Sequence, residues 1–178
     1  KDQDYQKTGY RKQIWDYSID FIGPSDNIVQ TAKIAREKGT ALFVKTETGV
    51  GIEVMQFPYV PAMQRLADKW RKVRGLKPSG VQQSWLFFGM FGSRAEELGL
   101  WAAYASEMSR DEFLNRMAIR DFGPDAAPRV VASWARMSEA VGHIPCLCTG
   151  GYYIGPQFLG PSHPLVPQKN ATITDVFH

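Results

Sequence analysis

Cysteine and histidine are scarce, two and three respectively in 178 residues. Cys146 and Cys148 are separated by one residue, and a disulfide between them would close a very small, strained ring. A tetrahedral metal site would need two further ligands, and His143 and His163 stand at spacings that match no zinc pattern. The pair reads as two small loop residues near an active-site rim. No metal and no cofactor is expected, since a Gly-rich phosphate loop is lacking as well. Long apolar runs are also missing: none approaches the roughly 20 residues that span a bilayer. Nothing near residue 1 resembles a signal peptide. Charge of one sign is not in excess, with 21 Lys and Arg against 18 Asp and Glu, a net +3. Those charges are interspersed, so neither nucleic acid nor a membrane is an expected partner.

What is present is apolar and aromatic. Apolar residues make up 44% of the chain and aromatic residues 12%, including five Trp. Such side chains need a core, which excludes a disordered chain.

The pattern over residues 12–107 alternates strand, loop and helix. Residues 14–19 are rich in aromatic and β-branched types and read as a strand. Gly23-Pro24-Ser25-Asp26 follows, with Ser25 or Asp26 as a natural N-cap for a helix carrying Ile28, Val29, Ala32, Ile34 and Ala35 on one side and closed by Gly39. Residues 40–46 are nearly all apolar, as in a strand buried on both faces. A long loop over 47–61 leads to a helix over 62–74, with Met63, Leu66, Ala67 and Trp70 at helical spacing. A turn at Lys77-Pro78-Ser79-Gly80 precedes a strand over 81–88 and a helix over 93–106.

Three consecutive βα units imply parallel strands joined by crossovers. Three strands cannot close a sheet, whereas a complete (β/α)8 barrel takes about 250 residues in units of this size. The fold class expected is therefore α/β: the last three βα units of a TIM-like barrel in residues 1–107. The runner-up is a small open α/β sheet. Residues 108–144 read as a helical hairpin. It starts in the capping box Ser109-Arg110-Asp111-Glu112 and buries Phe113, Leu114, Met117 and Ala118. Asp125 is the expected cap of its second helix, where Val130, Trp134, Met137 and Val141 recur at helical spacing. Residues 145–178 read as an irregular segment packed near the barrel mouth. The chain is thus expected to be the C-terminal part of something larger, its partner the missing N-terminal part of the barrel.

In such barrels the site lies at the carboxyl ends of the strands. That rule selects Asp16-Tyr17-Ser18, then Lys45-Thr46-Glu47 with the loop to Glu53, then Ser84-Trp85. Carboxylates beside flat aromatic faces suit a carbohydrate, whose hydroxyls want charged partners and whose C–H face stacks on Trp or Tyr. Glycoside hydrolysis needs two carboxyl groups, about 5–5.5 Å apart for retention or about 6.5–9.5 Å for inversion.

Taken together, Asp16-Tyr17-Ser18-Ile19, Gly23-Pro24-Ser25, Ala35-Arg36-Glu37-Lys38-Gly39, Lys45-Thr46, Glu53, Pro58-Tyr59-Val60-Pro61 and Ser84-Trp85 resemble a bacterial family of glycoside-hydrolase-like (β/α)8-barrel proteins. Its pattern runs Asp-Tyr-Ser, Gly-Pro-Ser, Lys-x-Gln, Trp-Glu, Pro-Tyr-x-Pro and Ser-Trp-x-x-Gly-Gly. Ser138-Glu139-Ala140, Ile144-Pro145 and Gly155-Pro156 to Pro164-Leu165 resemble its C-terminal section. The resemblance implies a carbohydrate-active protein that hydrolyses O-glycosidic bonds, with Glu53 or Glu47 catalytic after the seventh strand. Asp16, Tyr17, Lys45, Tyr59 and Trp85 are the candidate substrate contacts, the alternatives being a structural hydrogen-bonded Asp16, a Lys45 paired with a nearby carboxylate and a Trp85 packed in the core. The acid/base partner would follow the fourth strand, outside this sequence, leaving the fragment inactive alone. Three positions depart from the pattern: Ile52 replaces the Trp, Glu47 the Gln, and Phe87-Phe88-Gly89-Met90 the Gly-Gly. Those departures suit the alternative, a non-catalytic carbohydrate-binding or scaffold protein on a degenerate barrel. Location stays open between the bacterial cytoplasm and export.

Overall fold

A computed structural model describes residues 3–7, 10–14, 16, 18–46, 49, 60–83, 93–104 and 108–143. The elements run β1 Gln3–Lys7, β2 Tyr10–Ile14, α1 Asp26–Glu37, β3 Phe43–Thr46, α2 Met63–Gly75, β4 Gly80–Gln83, α3 Arg94–Tyr104, α4 Arg110–Phe122 and α5 Ala127–Val141. None of these helices is long and apolar enough to cross a membrane.

The alternation from α1 to α3 is present. β3 and β4 pair in parallel, Phe43 opposite Gly80 and Thr46 opposite Gln83, with α2 as the crossover between them. The described parallel sheet has these two strands rather than three. The strand expected over 14–19 lies earlier: residues 10–14 pair antiparallel with residues 3–7, Gln3 opposite Ile14 and Lys7 opposite Tyr10. A hairpin closes a loop of two residues, while pairing with β3 has to bridge a whole helix, so the local partner wins. Residues 18–25 are irregular.

β3 also departs from the expectation of a strand buried on both faces. Val44 and Thr46 are buried, whereas Phe43 is 73% exposed and Lys45 half-buried. One face of the strand is covered and the other is open, as the period of two requires when helices pack on a single side. α1 is similar. Of its apolar residues only Ala32 is fully buried, and Val29 and Ile34 are exposed.

The core lies on α2 and the helices after it. Met63, Leu66, Ala67, Trp70 and Val73 form one stripe of α2, packed with Leu98 of α3, with Phe113, Leu114, Met117 and Ala118 of α4, and with Ala127, Trp134 and Val141 of α5. Gly99 lets α3 approach α2 closely: a Cβ there would come within 2.6 Å of the Trp70 ring. Trp101 meets Phe113 edge-on at 4.8 Å, and Phe122 meets Trp134 at 6.2 Å.

The helix ends follow local chemistry, with one correction. Ser109 Oγ accepts from the Glu112 N–H at 3.2 Å, as the capping box requires. Ser93 Oγ likewise accepts from the Glu96 N–H at 3.1 Å. α1 ends in a Schellman motif: Thr40 N–H donates to Ala35 O, Gly39 N–H donates to Arg36 O, and Gly39 adopts φ 62°. α5, by contrast, is not capped by Asp125. Its N-cap is Ala126 in a helical conformation, with no side-chain bond, and Pro128 follows in the first turn. Proline has no N–H to orphan and a pre-set φ, so the first turn needs less from a cap.

Ion pairs join the helices at their surface. Arg120 of α4 forms a two-pronged pair with Glu97 of α3 and also bonds Asp121, which in turn accepts from Arg94 of α3 at 2.7 Å. The Arg120 guanidinium holds Asp121 below its ordinary 3.8, at about 2, with Arg94 assisting, and lowers Glu97 as well. A carboxylate whose folded-state value is depressed adds stability above its unfolded value, and that contribution is lost as pH falls through the folded one. Arg120 is half-exposed, so its contribution is modest.

Two outcomes are expected. Leu66→Ala lowers stability by about 2–5 kcal/mol in urea titration, because a fully buried helix position loses contacts that cannot collapse. Arg120→Met lowers it at pH 7 by at most about 1 kcal/mol, and variant and parent converge as pH falls from about 4 to about 2.

Candidate functional site

Four polar residues gather at the carboxyl end of β3, where α2 and the segment before α1 meet the strand. Lys45 and Thr46 arrive as the last residues of β3, on opposite faces. Asp16 arrives from the turn after β2, and Lys69 from the buried stripe of α2. All four line one cleft with Ile22, Pro24, Ile28, Val44 and Val73.

Asp16 organises the approach to α1. Its Oδ1 accepts the Ser25 N–H at 2.9 Å. Ser25 is the N-cap residue of α1, but its own side chain makes no capping bond. The carboxylate thus ties the Gly23-Pro24-Ser25 turn at the positive end of a helix, where a negative charge is favourable.

Lys69 is the residue that sequence reasoning missed. It is 3% exposed, and its Nζ donates to Ser18 O at 3.0 Å and to Phe21 O at 2.9 Å. The ammonium also stands 5.9 Å from the centre of the Phe21 ring. An ammonium out of water needs such acceptors, because desolvation disfavours its charged form. A signal was available: Lys69 lies three residues after Leu66 and four before Val73, so a charge interrupts an apolar helical stripe. Arg65, one turn earlier, continues the same task. It donates to Asp20 O at 3.0 Å, pairs with the Asp20 carboxylate at 3.1 Å, and reaches Ser138 O of α5.

Thr46 is 2% exposed and its hydroxyl has no hydrogen-bond partner among the described residues. The space in the cleft is about 10 Å³ for the centre of a water molecule, room for one water and too little for a sugar ring. The four residues therefore frame a small polar cleft rather than a ring-sized pocket.

Of the residues expected to carry chemistry, the fold brings Asp16 and Lys45 to the same cleft. Glu47, Glu53, Tyr17, Tyr59 and Trp85 lie outside the described residues. Among the described residues no three His, Cys, Asp or Glu side chains converge as metal ligands. His143 ends the described chain at an exposed position after α5, while Cys146, Cys148 and His163 lie outside it. In comparisons with known proteins, no family model, no curated protein and no solved structure matches the chain.

Lys69→Met should lower stability by about 2–5 kcal/mol in urea titration, since two buried carbonyls lose their donor. Thr46→Val should leave stability unchanged or raise it by up to about 1 kcal/mol, because a buried hydroxyl without a partner is replaced by an isostere. A large loss in the valine variant would show that the hydroxyl is bonded.

Proposed function

We propose that this chain is the C-terminal part of a carbohydrate-active protein that hydrolyses O-glycosidic bonds by carboxylate chemistry, built on a TIM-like (β/α)8 barrel. The observation that carries the reading is the parallel β3–α2–β4 unit, whose first strand ends on Lys45 and Thr46 in a cleft that Asp16 joins from the turn after β2. Ligand sites of parallel α/β folds form at that end. The open face of β3, with Phe43 exposed, and the bare Val29 and Ile34 of α1 fit a sheet and helix layer that continue into further units. The sequence resemblance adds Glu53 or Glu47 as the catalytic carboxylate, with Tyr17, Tyr59 and Trp85 beside the sugar. No cofactor is required for this chemistry.

The chemical division of labour follows from charge. A carboxylate after the seventh strand would attack the anomeric carbon or activate water, and a protonated acid from strands outside this sequence would protonate the leaving oxygen. Lys45 would hold a sugar hydroxyl or the carboxylate itself, favouring its ionised form. Asp16, bonded to the backbone of Ser25, would keep the loop before α1 in place.

One observation favours a second reading, a non-catalytic carbohydrate-binding or scaffold protein. The polar groups at the cleft are engaged in holding backbone, Asp16 on Ser25 and Lys69 on Ser18 and Phe21.

Hydrolysis of chromogenic aryl glycosides separates the two, measured on the protein that carries the upstream strands. Glu53→Gln should reduce the rate about 100-fold or more. An unaffected rate removes Glu53 from the chemistry, and no rate on any glycoside favours binding without catalysis.

A further inference from the structure

We draw no further inference here: the strongest candidate, the surface patch of the α4–α5 hairpin where Ile119, Phe122 and Met137 are exposed, carries nothing because nothing in the structure shows what covers it.

Discussion

The rest of the structure depends on the burial of α2, and within it on a charged residue placed where an apolar one belongs. Met63, Leu66, Ala67, Trp70 and Val73 supply the ordinary driving force, apolar area removed from water. Lys69 on the same stripe turns that force into geometry. Its ammonium cannot stay buried without acceptors, and the carbonyls of Ser18 and Phe21 meet it. The segment before α1 is thereby drawn against α2, and Ile19 enters the core. The polar residues beside it work in the same way. Gln64 accepts from Ser138 Oγ and donates to Val131 O, Arg65 reaches Ser138 O and Asp20, and Asp68 pairs with Arg110. One helix thus positions α4, α5 and the irregular segment through directional bonds laid along the edge of its apolar stripe.

This arrangement has a consequence for the cleft at the end of β3. Polar groups that hold backbone are rigid and already partnered, which suits positioning better than proton transfer. Asp16 on the Ser25 N–H and Lys69 on two carbonyls form a fixed polar frame at the end of β3.

Much of the helical part was legible from residue spacing. Trp70 and Trp134 were read as packing from their helical period, and both are buried. Ser109 to Glu112 announced the start of α4, and Gly39 the end of α1, because caps are local chemistry and need no distant partner. Asp125 misled for the same reason in reverse: the residue type suits a cap, but Pro128 in the first turn of α5 lessens the need for one. The strand over 14–19 was misplaced because a strand has no local signature of its partner. Residues 3–7 were near enough to pair first. Lys69 went unread because a lysine on a helix ordinarily reaches water, and only the fold put two carbonyls beside it.

Composition and period by themselves determined that the chain has a core, that residues 26–104 alternate helix and strand, and that 110–141 form two helices. These follow from interactions among residues a few positions apart, which the sequence displays directly. The tertiary structure decided which strands pair, that β3 is covered on one side only, and that Asp16 and Lys45 share a cleft with a buried lysine. Such outcomes depend on contacts across tens of residues, where loop closure, desolvation and the search for acceptors set the geometry, and no spacing along the chain records them.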